Sequence, residues 1–172
     1  MGGGHLPPKN MYVFQHQFLL SSGRRLSLDR YRGQPLLLVN TASESRHAGQ
    51  MRKLQRLWEN YRHFGLVIIG LPCNDFGGRE PLEDEQMESE CLCRFGVRFP
   101  LSAKLSMAGR SMDPLFAEMR EAYGREKLPQ WNFHKYLFNQ RGQLTGSWPH
   151  RTEPDDIALT HQIERNLTAW VI

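Results

Sequence analysis

Two short runs of almost unbroken apolar residues, Leu36-Leu37-Leu38-Val39 and Leu66-Val67-Ile68-Ile69-Gly70-Leu71, stand apart from the rest of the chain. Runs this short without polar alternation predict strands covered on both faces. Between them Met51, Leu54, Leu57, Trp58, Tyr61 and Phe64 recur at helical spacing, which predicts an amphipathic helix over 48–64 with Gly65 as its terminator. Upstream, Met11 to Leu20 alternates and is aromatic, so it reads as a first strand; Ser22-Gly23 turns it towards a return strand at Leu26-Ser27-Leu28. Downstream, a Gly- and Asn-containing loop runs from Pro72 to Pro81. A helix with an acidic start is expected over 83–95, where the helix dipole favours negative charge. Phe99-Pro100-Leu101 reads as a short extended piece. Pro114 sits at the first turn of a helix reaching about Tyr123. Phe133–Asn139 and Leu144–Trp148 flank Gln140-Arg141-Gly142-Gln143, a hairpin turn, and Pro154-Asp155-Asp156 opens a last helix ending near Trp170.

Helices interleaved with apolar strands give an α/β layered domain, and the closing hairpin makes its sheet mixed. The expected organisation is an arm without fixed structure over 1–10 and one domain over 11–172. The 172 residues suffice for a full core. Hydrophobic residues make up 40% and charged residues 23%, which fits a globular chain. No apolar run is long enough to span a membrane, and the start has neither the basic nor the apolar region of a signal peptide, so the cytoplasm is the expected location. The net charge of +4 comes from 22 cations and 18 anions that are interspersed. That predicts a mixed solvated surface, and no nucleic-acid-binding motif accompanies it.

Three cysteines, Cys73, Cys91 and Cys93, are too few and odd in number for a secreted disulfide scaffold. Cys91-Leu92-Cys93 lacks the second ligand pair that zinc requires, so neither metal nor cofactor is expected. His134, His150 and His161 show no ligand spacing and read as surface or packing residues.

Three blocks give the chain a family resemblance. Val39-Asn40-Thr41-Ala42-Ser43-Glu44, the long segment Leu71-Pro72-Cys73-Asn74-Asp75-Phe76-Gly77-Gly78-Arg79-Glu80-Pro81, and Trp131-Asn132-Phe133 resemble, in order and spacing, segments of the glutathione peroxidases. The likeness runs from about Tyr12 to about Ile157. It implies a thioredoxin-like fold, with a central mixed sheet flanked by helices and an N-terminal β-hairpin. It also implies hydroperoxide reduction by a cysteine or selenocysteine that works among a glutamine, a tryptophan and an asparagine. The corresponding positions here are Ser45, Asp75, Trp131 and Asn132, so two of the four depart from the family.

Both departures bear on the chemistry. The peroxidatic step needs a soft nucleophile that is anionic near neutral pH and passes through a sulfenic acid. A serine hydroxyl does neither. An ionised Asp75 is acceptor-only where a glutamine amide can donate. It is expected to accept a bond from a hydroxyl at 45 and to oppose a thiolate there. Arg46, His47 and Ala48 also depart from the family's usual sequence after its nucleophile, which argues for natural divergence and against a single engineered change.

The reading that results is a glutathione-peroxidase-family pseudoenzyme with peroxidase activity lost or very weak. One alternative is a non-catalytic binding or regulatory module. Another is a peroxidase with a relocated thiol at Cys73, Cys91 or Cys93, Cys91 lying in the helix where thioredoxin-linked members carry a resolving cysteine. A Ser45–His47–Asp75 hydrolase triad has the right residue types but no oxyanion hole, and His47 with Asp75 is too small a set for a metal. By resemblance, surviving activity would draw on thioredoxin before glutathione. The short link from Tyr123 to Trp131 favours a monomer over a tetramer.

Overall fold

The computed structural model describes residues 10–167, so the N-terminal arm, save Asn10, and Trp170 lie outside the described residues. A short hairpin, β1 (Gln17–Leu19) and β2 (Arg25–Ser27), precedes β3 (Leu36–Thr41), α1 (Gln50–Tyr61), β4 (Val67–Pro72), α2 (Asp84–Phe95) and α3 (Pro114–Tyr123). A second hairpin, β5 (Lys135–Phe138) and β6 (Leu144–Trp148), leads into α4 (Ile157–Arg165). The main sheet has the order β4-β3-β5-β6. Strands β3 and β4 are parallel, while β5 runs antiparallel to both β3 and β6. This is the mixed sheet expected from the apolar runs.

Every residue of β3 and β4 is buried, and the period-two alternation of strands divides them between two cores. Leu36 and Leu38 pack with Ile69, Tyr136, Phe138 and, from α3, Phe116 and Met119. Leu37 and Val39 pack with Ile68, Leu137 and apolar residues of α1, α2 and α4, among them Leu54, Met87 and Ile163. The helix ends follow their sequence signals. Gly65 takes the left-handed conformation (φ 110°) after a 3-10 turn that closes α1. Glu83 and Gln86 form a reciprocal capping box at α2. Asp113 and Asp156 cap α3 and α4 by accepting backbone N–H bonds.

The first strand is shorter than its alternation suggests. Residues Val13–Gln15 form a 3-10 turn, and only Gln17–Leu19 pair as strand. Val13 and Phe14 are adjacent, yet both are buried. A strand would point one of them away from the core. The turn brings both inward, and the Val13 N–H bonds the Gly142 carbonyl at 2.9 Å. The Phe99–Leu101 piece makes only isolated bridges, Gly70 to Leu101 and Leu20 to Ser102. It still covers the outer edge of β4, with Gly70 N–H bonded to Pro100 O and Ser102 N–H to Gly70 O. Gly70 permits this approach, since a Cβ there would lie 2.5 Å from a Leu101 methyl.

Two buried basic groups flank the start of β5. The Lys135 ammonium is fully buried, donates to the carbonyls of Pro149 and Thr152, and is pushed down to about 8 by burial. His134 is 6% exposed, bonds Ser147 Oγ at 2.8 Å and stacks on Tyr136. Burial, with lesser contributions from the positive charges of Lys135, His150 and Lys127, lowers it to about 4. Its folded value lies below its unfolded one, so between about pH 4 and 6.5 the unfolded chain holds the extra proton. The stability it contributes above pH 6.5 is therefore lost as pH falls towards 4, by on the order of 3 kcal/mol. Urea titrations of the native chain and of His134→Gln should show that amount of relative gain for the variant between pH 7 and pH 4. A constant difference would refute the assignment.

Candidate functional site

Strands β3 and β4 are parallel and end side by side, Thr41 opposite Pro72, so the loops that follow them open at one edge of the sheet. Such crevices beyond the carboxyl ends of parallel strands are where open α/β sheets place ligands. Three buried side chains fix the loops there. Asn40 donates through Nδ2 to the Trp131 carbonyl (2.9 Å) and accepts the His134 N–H at Oδ1 (2.7 Å). Glu80, fully buried, accepts the Ser43 N–H (2.9 Å) and the Ser43 hydroxyl (2.7 Å). Asn132, also fully buried, donates to the Phe76 carbonyl at 3.1 Å. Between Asn132 and β5 the chain turns at Phe133, which adopts φ 65°. A left-handed phenylalanine costs about 1–3 kcal/mol, offset here by its burial and its 2.7 Å N–H bond to Asn40 O.

Ser45 stands in the turn before α1 and is 8% exposed. Its Oγ accepts the His47 N–H at 3.1 Å. Together with Arg46, His47, Arg79 and Trp131 it lines a cavity of about 330 Å³. Trp131 is 37% exposed and meets Phe76 edge to face. The His47 ring packs against His150 at 4.9 Å. Cys73 and Cys91 are buried, and loss of solvation pushes their thiols up to about 12 and about 11. Cys93 is exposed.

The glutathione peroxidase family model matches residues 12–120. The chain belongs to the glutathione peroxidase family. Among its relatives, the glutathione peroxidase homolog BsaA of Staphylococcus aureus (strain MW2) is 36% identical over 150 residues, 86% of this chain and 93% of that one. The glutathione peroxidase-like peroxiredoxin gpx1 of Schizosaccharomyces pombe is 33% identical over 138 residues, 78% of this chain and 87% of that one. In structure the chain resembles Trgpx in its apo form, with TM-score 0.72, 25% identity and coverage of 92% and 96% of the two chains. A thioredoxin-family thiol:disulfide interchange protein from Chlorobium tepidum TLS aligns at TM-score 0.65 and 10% identity, covering 92% of this chain and 97% of that one, a likeness of fold alone. The fold of this glutathione peroxidase family member is thus thioredoxin-like.

Of the four positions singled out by resemblance, Ser45 and Trp131 share the cavity, and Asn132 lies buried beside it in sequence. Asp75 departs from expectation. It is exposed, and its Oδ2 accepts the Met107 N–H (2.8 Å) and the Ser106 hydroxyl (3.1 Å), not a bond from Ser45. The loop at 106–107 offers it a backbone and a side-chain donor at once, whereas the Ser45 N–H is already spent on the Ala42 carbonyl (3.2 Å). The hydrolase triad fails for the same reason, and among the described residues no cluster of three or more metal-ligating side chains occurs. His134 is a buried residue of the core, His150 packs on His47, and His161 is exposed. Among the described residues no helix is long and apolar enough to cross a membrane. Sequence reasoning overlooked Arg79 as a cavity residue and Asn40 and Glu80 as the loop's anchors. A carboxylate between an arginine and a proline in a Gly-rich loop carries no signal of burial, but Asn40 at the end of an apolar strand does.

Proposed function

We propose that this chain keeps the scaffold of hydroperoxide reduction and has lost the reaction at residue 45. The supporting observation is the side chain that Ser45 presents at the cavity. A hydroxyl oxygen cannot take up and give back oxidation state as sulfur does. The buried state of Cys73 and Cys91 speaks against relocation of the chemistry to either, because a thiol held near 11 or 12 is almost wholly protonated at neutral pH. Only Cys93 is left open to solvent. The protein then acts as a binding or regulatory member of a redox family, its cavity retained for a ligand.

The test is consumption of hydrogen peroxide and cumene hydroperoxide by the native chain, with thioredoxin and its reductase or with glutathione. The expected result is turnover indistinguishable from buffer. Robust turnover that survives Ser45→Ala and disappears in Cys93→Ser would instead establish a relocated thiol and defeat the proposal.

A further inference from the structure

Apart from the Trp131 indole, the cavity at Ser45 is lined by donors and cations. Arg46 and Arg79 supply two guanidiniums, and His47 adds an imidazole. Ser45 accepts the His47 N–H, which leaves its own O–H hydrogen to donate. No carboxylate lines the space. The acid nearest in sequence, Glu44, is tied to Arg94 at 2.9 Å. Among the described residues neither Arg46 nor Arg79 has a salt bridge, so both charges are unspent. The remaining wall is the half-exposed indole of Trp131.

From this we infer that the cavity binds a phosphate monoester, its phosphate group held by Arg46, Arg79, His47 and the Ser45 hydroxyl and its organic part lying against Trp131. Guanidiniums are suited to phosphate because their fork of N–H groups pairs oxygens two at a time. A carboxylate brings one negative charge on two oxygens, so beside two guanidiniums it leaves one positive charge unbalanced. A tetrahedral dianion can engage both, together with the hydroxyl and the imidazole. Free phosphate offers the same charge but nothing to lie on the indole, and about 330 Å³ falls in the range of small-molecule sites. The chemistry needs no redox step and no thiol. This inference rests on the reading of the site as non-catalytic.

The experiment titrates the intact native chain, at fixed ionic strength, with phenyl phosphate, inorganic phosphate, phenol and glutathione. Tryptophan fluorescence, read as the change lost in Trp131→Phe, and the amide resonances of Ser45 and His47 are followed, and peroxide consumption is measured on the same samples. Phenyl phosphate is expected to bind at least tenfold more tightly than inorganic phosphate and to perturb all three reporters, with phenol inert. Arg46→Gln/Arg79→Gln should weaken phenyl phosphate at least tenfold. Both positions are exposed, so the fold is expected to persist, and circular dichroism checks it. Equal binding by the double variant, binding of glutathione as tight as phenyl phosphate, or no binding above a chloride control each overturns the inference. Peroxide turnover lost in Ser45→Ala would defeat the non-catalytic reading instead. Silence of both phosphates without turnover defeats the inference alone.

Discussion

Ser45→Cys is expected to place at residue 45 a thiol that hydrogen peroxide oxidises at least tenfold faster than free cysteine. The thiolate attacks one peroxide oxygen, the O–O bond breaks, and the products are a sulfenic acid at residue 45 and water once the leaving hydroxide takes a proton. The rate depends on how much thiolate is present. Free cysteine ionises near pH 8.5, so only a few per cent is anionic at pH 7, while a thiol brought to about 7 by neighbouring cations is half ionised. Arg46, Arg79 and His47 line the same cavity as residue 45, and no carboxylate does. The sequence alone argues the reverse, that Asp75 would oppose an anion there. With Asp75 engaged by Ser106 and Met107, adding Asp75→Gln should change the rate by less than about threefold, since an exposed charge that lies outside the cavity is strongly screened. Trapping of the sulfenic acid with dimedone, followed by mass spectrometry over time, measures both variants. A cysteine at 45 that reacts no faster than free cysteine would show that the surroundings of the site, and not residue 45 alone, have been dismantled.

The contrast between Asp75 and Ser45 marks the boundary of what the sequence discloses. Ser45 was legible because its setting is local: an apolar strand, a loop and a helix fix where its side chain emerges, and the structure bears out β3, the turn and α1 in that order. The two-sided burial of β3 and β4 was legible from their unbroken apolar runs. Asp75 was misjudged because its partners stand 31 and 32 positions away, in a stretch without periodicity. A comparable separation, 37 positions, conceals Glu80, whose buried carboxylate bonds Ser43 across the site. Val13 and Phe14 show the local version of the failure. Alternation predicts a strand, but packing wanted both side chains on one side, and a 3-10 turn was the backbone that allowed it.

Glu80→Ala should destabilise the protein by on the order of 4 kcal/mol, although Glu80 does not line the cavity. The carboxylate is completely buried, and it satisfies both donors of Ser43, itself only 2% exposed. Its removal leaves a backbone N–H and a hydroxyl without acceptors in a space water does not reach, at about 1–3 kcal/mol for each group. The vacated side-chain volume adds a cavity cost. Glu80→Gln should fall between, because one amide oxygen still accepts while the NH₂ group faces a donor. For a chain of this length, 1 kcal/mol shifts the melting point by roughly 2–4 °C, so the alanine variant should melt about 10 °C lower. Arg94 bonds the Ser43 carbonyl (3.2 Å) and Glu44 (2.9 Å) on the same loop but is partly solvated. Arg94→Ala should therefore cost less than about 1 kcal/mol, as exposed ion pairs do. Thermal and urea melts of the three variants decide the order. If Glu80→Ala lies within 1 kcal/mol of the native chain, the loop that carries Ser45 is held by something other than this carboxylate, and the cavity's geometry has to be explained from Asn40 and Asn132 alone.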